Sequence, residues 1–333
     1  MKYIYILFLI ILIPATYVSI SVYRSHQIQL SLLNDFNSGN FREETTTKFL
    51  STNFEIPNLT ITAMPIKHLI SRYYFLGTKY KTALQLIDEG NRANPYMKIG
   101  NSLKSEIYYS LGVYDSSYFY SKDAFTYQKN NVRHFINFMK NLSKKDEFDE
   151  IIKAYRQIER TKNPTMHQIF LSTLLTVDEK FIRNDSVLNM VNKIYLSFSK
   201  NSEINVLRDM ILYGKENTIK SEKESKKATE FFQKGMIEEA IITFKNASKL
   251  NPSDYSNYEN LGLIHFQKED YISARNYLEQ AKDTIISSNG KTEYLLGLTY
   301  GKLSKKDSAC YYLKISKELD FKPAFNEYIK ACY

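Results

Sequence analysis

Small residues recur along this chain at a spacing of 34 or 35 positions. One set, in the C-terminal half, consists of Ala240, Ala274 and Ala309. A second set, in the N-terminal half, consists of Ala83, Ser117 and Ile151, and in this set Ile151 replaces the expected alanine. A period of this length is typical of proteins in which each repeat is a pair of antiparallel helices and the pairs stack into a superhelix. The spacing therefore predicts an all-α fold whose core is distributed along the chain.

Residues 221–254 contain the most complete repeat. Pro252 marks its end, because proline cannot continue a helix. Two small residues, 12 positions apart, occur in this repeat and in the next two, as the pairs Ala228/Ala240, Gly262/Ala274 and Gly297/Ala309. Such residues allow two helices to pack about 8–10 Å apart. These repeats resemble the tetratricopeptide repeat (TPR) family, which implies a helical-hairpin superhelix, or α-solenoid, with a concave face that binds proteins or peptides.

The predicted organisation has six segments. Residues 1–26 form a signal anchor or transmembrane helix, and residues 27–62 a polar spacer. The remaining segments are degenerate TPR-like repeats (63–165), an irregular helical connector (166–220), three TPR repeats (221–323) and a C-terminal capping helix (324–333).

The N-terminus is an apolar run of 21 residues from Tyr3 to Tyr23, and about 20 residues are enough to span a bilayer. It is either an uncleaved anchor or a signal peptide that is cleaved after Ser21. We favour the anchor, because the run stays apolar beyond Pro14. This interpretation predicts a single-pass protein of the inner (cytoplasmic) membrane whose TPR region is exported to the periplasm. The flanking charges hardly differ, so the orientation is inferred from the N-terminal position of the run.

The sequence contains no signature of catalysis, of a cofactor or of a metal site. None of the five histidines lies at metal-ligand spacing from another histidine, a cysteine or a carboxylate, and the phosphate- and nucleotide-binding glycine motifs are absent. The net charge is +9, but the basic residues alternate with acidic ones, which argues against nucleic-acid binding. We therefore expect no enzyme activity, no cofactor and no small-molecule substrate.

The TPR resemblance also allows one known binding mode to be tested. In chaperone-binding TPR proteins, Lys at the fifth and Asn at the ninth position of a repeat grip an acidic peptide terminus. Here these positions hold Ser225 and Thr229, Glu259 and Leu263, and Tyr294 and Leu298. The clamp is absent. The inward positions instead predict an apolar groove for an amphipathic helix or an extended peptide, lined by Phe232, Leu263, Phe266, Tyr294 and Leu298. Alternatively, a segment of this chain, such as its C-terminal helix, fills the groove.

Residues 1–165 have a second, broader resemblance. The apolar span, the polar spacer and the block YYSLGVYDSSYFYSKDAF resemble the segment after the final membrane helix in bacterial O-antigen ligase and polymerase-like proteins that carry C-terminal TPRs. Those proteins have many membrane spans and this chain has one, so no catalytic residue is carried over. The resemblance implies a role in the context of cell-envelope polysaccharide assembly.

Together, these patterns predict a membrane-anchored, exported TPR scaffold or adaptor that mediates protein–protein interactions. One alternative is a membrane-tethered adaptor that faces the cytoplasm. Another is a secreted carbohydrate-binding module that uses the tyrosines of residues 108–127. We favour a structural role for these tyrosines, because TPR repeats place aromatic residues in the seams between helices.

The two cysteines, Cys310 and Cys332, are each 11 residues from Phe321, where a turn between the last two helices is expected. In an antiparallel hairpin they would lie at the same height. A disulfide between them would fasten the capping helix in an oxidising compartment. The alternative is two unrelated buried thiols.

Overall fold

The computed structural model describes residues 2–40, 42, 44, 45, 48, 58–285 and 288–332, which are helical apart from their turns and one isolated β-bridge. The chain divides into two compact units, Met1–Lys162 (unit 1) and Asn163–Tyr333 (unit 2). The all-α prediction is confirmed.

Unit 1 begins with the long helix α1 (Lys2–Ser38). Its other described helices are α2 (Ile66–Leu76), α3 (Tyr80–Ala93), α4 (Ile99–Ser110), α5 (Tyr114–Tyr127), α6 (Val132–Lys144) and α7 (Phe148–Arg156). Helices α2 and α3, α4 and α5, and α6 and α7 contact each other as consecutive pairs.

Unit 2 opens with helices that do not follow the repeat pattern: α8 (Pro164–Leu174), α9 (Glu179–Ile182), α10 (Asp185–Ser197) and α11 (Ser202–Tyr213). Three helical hairpins follow in the segment predicted to hold TPR repeats: α12 (Lys215–Gln233) with α13 (Ile237–Leu250), α14 (Tyr255–Gln267) with α15 (Tyr271–Thr284), and α16 (Lys291–Lys302) with α17 (Lys306–Glu318). The last helix, α18 (Pro323–Cys332), packs against α17.

Several helices begin at a side chain that caps them. The Asn131 side chain accepts hydrogen bonds from the first backbone N–H groups of α6, and Asp254 does the same for α14. At α8, Asn163 is the cap and Pro164 is the first helical residue. A cap satisfies N–H groups that have no partner inside the helix, and proline there loses no hydrogen bond. Local sequence thus fixes where these helices start.

The small residues of the 34-residue spacing lie where paired helices touch. Ala83, Ser117, Ala240 and Ala274 are completely buried. In unit 1, the Ser117 hydroxyl donates a hydrogen bond of 2.8 Å to the carbonyl of Ser105 on the partner helix. A larger side chain at such a position would force the two helices apart.

We expect Ala274→Leu to lower the free energy of unfolding of unit 2 by roughly 1–3 kcal/mol, because extra methylene groups in a packed core cost about that much. Ala274 is fully buried on α15. Chemical denaturation of the purified full chain measures the change. An unchanged midpoint would mean that Ala274 does not lie at a close helix crossing.

The prediction of a polar spacer at residues 27–62 is wrong at its start. Helix α1 continues through Ser38, and Ile28 and Leu32 are buried in one cluster with Ile66 and Ile70 of α2. Ile28 and Leu32 are four residues apart, so their side chains lie on the same side of α1. Helix α2 covers this side. Most of residues 41–57 lie outside the described part of the chain.

The first part of α1 differs from this buried part. The described side chains from Tyr3 to Ile20 are all exposed, and Ser25 is the first buried residue. The stretch Tyr5–Ser38 is long and apolar enough to cross a membrane, judged by length and composition. A soluble core helix or a signal sequence meets the same criterion.

Two histidines of unit 1, His68 and His134, are almost completely buried. Burial lowers the pKa of both imidazoles below the usual value, because the charged form loses its hydration. The unfolded chain therefore binds a proton more readily than the folded one. The free energy of unfolding keeps its full value above the pKa of a histidine in the unfolded chain, about 6.5. It decreases as the pH falls below that value, because the unfolded chain then binds protons that the folded chain does not.

We expect unit 1 to become less stable between about pH 7.5 and 5.5, by at most about 1.4 kcal/mol per pH unit for each histidine. Hydrogen-exchange mass spectrometry of peptides from α2 and α6 measures the local opening free energy. The matched control is His26→Gln, since His26 is exposed. Opening free energies that do not vary over this pH range would contradict the prediction.

Candidate functional site

The five predicted groove residues lie on the first helices of the three TPR hairpins. Phe232 is on α12, Leu263 and Phe266 are on α14, and Tyr294 and Leu298 are on α16; all five are partly exposed. Leu263 and Tyr294 pack against one core cluster, formed mainly by α16, and Phe232 packs against the cluster of the first hairpin. Helices α14 and α16 contact each other. Leu263 and Tyr294 thus border the same buried cluster, although they belong to different hairpins.

The C-terminal segment of the chain lies next to Tyr294, one of the five predicted groove residues. The ring of Phe321 lies 5.3 Å from the ring of Tyr294, measured between centroids. Burial raises the pKa of the Tyr294 phenol, and the nearby charge of Glu327 on α18 adds to the increase. The chain itself therefore occupies the neighbourhood of Tyr294, in line with the alternative that the C-terminal helix fills part of the groove. Phe232, Leu263 and Phe266 lie on the preceding hairpins.

A polar contact joins the fifth position of one repeat to the third position of the next. The Ser225 hydroxyl donates to Oδ1 of Asn257 at 2.6 Å. One repeat later, the Thr292 hydroxyl donates to Glu259 at 2.6 Å. Asn257 and Thr292 are completely buried. These contacts hold successive first helices in a fixed register.

Glu259 shows why the chaperone-type clamp cannot form at this repeat. Its carboxylate is 6% exposed and also accepts a hydrogen bond of 2.6 Å from Nζ of Lys291. The site thus has a negative charge where the clamp requires a lysine. The lysine that is present is already paired. An acidic peptide terminus would meet a like charge here, so this position favours a neutral or apolar partner segment.

Sequence reasoning missed Asn257 and Thr292. Both are polar residues at the same position of neighbouring repeats, and a polar residue repeated at an otherwise buried position is a signal that could have identified them. Their partners lie 32 and 33 residues away. The pairing is visible only once the repeats are stacked.

The tyrosines of residues 108–127 pack against one another and against lysines. The rings of Tyr108 and Tyr120 stack with centroids 5.6 Å apart. Nζ of Lys140 lies 3.8 Å from the centre of the Tyr109 ring, and Nζ of Lys144 lies 5.0 Å from that of Tyr114. Cation–π contacts of this kind are favourable. Lysines thus already lie against Tyr109 and Tyr114, and a sugar would have to displace them to stack on these rings.

The two cysteines meet between the last two helices. Cys310 is on α17 and Cys332 is the last residue of α18, and their Cα atoms lie 5.6 Å apart with the sulfurs at bonding distance. This separation lies within the range that a disulfide requires. Within the described residues, no three histidine, cysteine, aspartate or glutamate side chains are grouped so that they could hold a metal ion.

Comparison with known proteins gives a family for part of the chain. Residues 228–269 match the family model of the TPR repeat. No curated protein matches the sequence of the chain. The matching segment runs from the small residue Ala228 of the first TPR hairpin to Glu269, at the turn of the second.

Solved structures with a similar arrangement of helices include several TPR proteins. The TPR domain of P58(IPK) is 12% identical, with 92% of this chain and 97% of that chain covered, at a TM-score of 0.38. A tetratricopeptide repeat protein from Parabacteroides merdae is 14% identical, with coverages of 80% and 96%, at a TM-score of 0.36. The TPR2AB domain of yeast Sti1, in a pHSP90 complex, is 14% identical, with coverages of 71% and 99%, at a TM-score of 0.32. At these TM-scores, the similarity to these proteins indicates neither a functional site nor a partner of this chain.

The family match and the recurring small residues at the hairpin contacts agree on the same segment. The part of the chain that the family model covers, residues 228–269, therefore has the sequence of the tetratricopeptide repeat.

Proposed function

We propose that this protein is a non-enzymatic scaffold that holds a protein or peptide partner in the groove of its C-terminal TPR array. The observation that carries the proposal is the row of partly exposed apolar side chains on three successive first helices, with Phe232, Leu263 and Leu298 as its members on α12, α14 and α16. Leu263 and Leu298 occupy the same position of successive repeats, and Phe232 lies three positions further along its own repeat. Partly exposed apolar residues on neighbouring first helices suit an amphipathic helix or an extended peptide.

The charges in the groove restrict which kind of partner segment can bind there. At the boundary of the second and third repeats, Lys291 is paired with Glu259, so this lysine is not a free positive charge for an acidic terminus. The apolar side chains of the groove gain most free energy from burying apolar surface of a partner. We therefore propose a partner segment with an apolar face rather than an acidic terminus.

Photo-crosslinking tests the groove directly. A photoreactive amino acid placed at Leu298 is expected to form a covalent adduct with the partner in cells that produce the full chain. The matched control is the same amino acid at Ile242, which is 60% exposed on α13, the second helix of its hairpin. Adducts of equal yield at the two positions, or at Ile242 alone, would refute the groove.

We further propose that the apolar part of α1 anchors the protein in the inner membrane and that the repeats are exported. The exposed apolar run and the continuous helix from Lys2 to Ser38 support the anchor. Mass spectrometry of the protein purified from its membrane should find residues 1–23 attached, and protease added to intact spheroplasts should digest the repeats. A mature chain that starts at Val22, or repeats protected from protease in intact spheroplasts, would contradict the corresponding part of the proposal.

The context of cell-envelope polysaccharide assembly rests on the resemblance of residues 1–165 alone. If it holds, deleting the gene should change the amount or the chain length of surface polysaccharide on a gel. An unchanged polysaccharide profile would remove this context and leave the scaffold proposal intact.

A further inference from the structure

Helix α1 enters unit 1 in the same direction as α2. The ring of Phe36 in α1 lies 6.3 Å from the ring of Tyr73 in α2, measured between centroids. Ile28 and Ile66, each about two turns before these aromatic residues, are buried in one cluster. Two helices that touch at both levels run the same way. The start of α2 therefore lies at the end of unit 1 where α1 enters.

This end of unit 1 lies close to the apolar run of α1. The run ends at Tyr23, and α1 continues as one helix to the buried Ile28. A rise of 1.5 Å per residue places Ile28 about 7.5 Å beyond Tyr23 along the axis. The headgroup region of one leaflet is about 5–8 Å thick. With the run in the bilayer, as proposed above, the helix holds this end of unit 1 at the level of the headgroups.

Three turns between helices meet at this end. Nδ2 of Asn94, in the turn from α3 to α4, donates to the carbonyl of Ala63, in the turn before α2, at 2.8 Å. Nζ of Lys98, in the same turn as Asn94, lies 5.6 Å from the centre of the ring of Tyr127, where the turn from α5 to α6 begins. The three turns form one surface, the entry edge, which consists of residues 58–65, 94–98 and 127–131.

The entry edge exposes apolar and aromatic side chains. Ile61, Tyr96 and Tyr127 are 102%, 73% and 52% exposed. An isoleucine that is fully exposed to water gains free energy when an apolar environment covers it. Tyrosine favours the boundary between headgroups and acyl chains, because its ring is apolar and its hydroxyl is polar. These side chains therefore suit a bilayer surface.

The charges of the entry edge are positive. Its segments contain Lys98 and Lys129 and no carboxylate. Lys98 pairs with Asp123 of α5 at 3.2 Å, whereas Lys129 is exposed. At the opposite end of the same helices, the turn after α6 contains the carboxylates of residues 146 and 147. Lysines next to apolar side chains are attracted to anionic lipid headgroups, and carboxylates are repelled by them.

We propose that the entry edge of unit 1 docks on the surface of the bilayer that holds α1, with the side chains of Ile61 and Tyr96 between the headgroups and the acyl chains. This inference rests on the proposed membrane anchor, and it holds for either orientation of the chain. The partner is a lipid surface rather than a protein, because α1 itself brings the edge to the headgroups. Docking fixes the angle between unit 1 and the membrane.

Tryptophan fluorescence tests the docking, because the chain contains no tryptophan of its own. Ile61→Trp and Tyr96→Trp are made one at a time in the full chain, which is reconstituted in nanodiscs of phosphatidylcholine and phosphatidylglycerol. In half of the samples these lipids carry bromine atoms on the upper part of the acyl chains, which quench tryptophan on contact. Both variants should lose most of their fluorescence in the brominated nanodiscs.

Leu111→Trp is the matched control. Leu111 is 45% exposed in the turn from α4 to α5, about 18 Å from the entry edge along the 12 residues of α4. It introduces the same preference of tryptophan for a membrane interface, yet its fluorescence should be unchanged by bromine. Equal quenching at Leu111 and Ile61 would overturn the docking, because both ends of the helices would then meet lipid.

Val18→Trp separates the docking from the anchor, since Val18 lies in the exposed apolar run of α1 and is 41% exposed. We expect it to be quenched. Quenching at Val18 without quenching at Ile61 and Tyr96 would overturn the docking and leave the anchor intact. Fluorescence at Val18 that bromine does not change would refute the anchor, and the docking proposal with it.

Discussion

The substitutions Gly262→Ala and Gly297→Ala are each expected to lower the free energy of unfolding of unit 2 by about 1–3 kcal/mol, because each adds a methyl group at a packed helix contact. A Cβ atom on Gly262 would lie 2.5 Å from Cγ of Leu278, and one on Gly297 would lie 2.6 Å from Cγ of Leu313. Both leucines are at most 1% exposed, so neither can move aside without disturbing its neighbours. The double variant should lose about 2–6 kcal/mol, because the two contacts involve different residues.

Gly301 provides the matched control, since it lies on the same helix as Gly297. A Cβ atom there would have its nearest neighbour, Cβ of Ala309, at 4.0 Å. Gly301→Ala should therefore leave stability unchanged or raise it by about 0.5–1 kcal/mol, because alanine favours the helix. Urea denaturation of the full chain, followed by circular dichroism, measures all of these changes.

The first TPR hairpin shows how the same contact accommodates a larger residue. It has Ala228 where the next two hairpins have glycine, and Phe244 where they have leucine; Ala228 and Phe244 belong to one buried cluster. The size of the small residue thus depends on the residue that it faces. If Gly297→Ala proved as stable as Gly301→Ala, the close crossing of α16 and α17 would be refuted.

Removing the link between Cys310 and Cys332 is expected to destabilise unit 2 by about 3 kcal/mol, the value that the chain-entropy model gives for a loop of this length. The two cysteines are 22 positions apart, and the link would fasten α18 onto α17. The test is the denaturant midpoint of the double variant Cys310→Ser and Cys332→Ser against that of the oxidised full chain. The reduced unchanged protein is the control and should behave like the double variant.

Thiol labelling decides whether the link exists in the cell. Protein taken from its native compartment and denatured without a reductant should have no free thiol. Two labelled cysteines would contradict the disulfide. They would also weaken the case for export, because cysteine pairs close in oxidising compartments and stay reduced in the cytosol.

The repeat period was readable from the sequence because it depends on contacts within one hairpin. Ala240 and Ala274 recur in register and are buried at the contacts with their partner helices. The capped starts of α6 and α14 are equally local, since Asn131 and Asp254 bond to backbone groups two or three residues away.

The features that could not be predicted from the sequence depend on residues that meet only after the repeats have stacked. The burial of Ile28 against α2 cannot be inferred from α1, whose apolar residues continue those of the predicted membrane span. The pairing of Glu259 with Thr292 joins two repeats, and the entry edge of unit 1 forms through contacts such as that of Asn94 with Ala63, 31 residues away. The groove residues were named from their repeat positions, and they remain a prediction until a partner is found.

The claim that the TPR groove holds the partner is tested most directly by hydrogen-exchange mass spectrometry of the full chain with and without the crosslinked partner. Binding in the groove should slow exchange in peptides from α14 and α16 that contain Leu263 and Leu298. Peptides from the second helices α13 and α15 should exchange at unchanged rates. Protection confined to α13 and α15, or to unit 1, would contradict the claim.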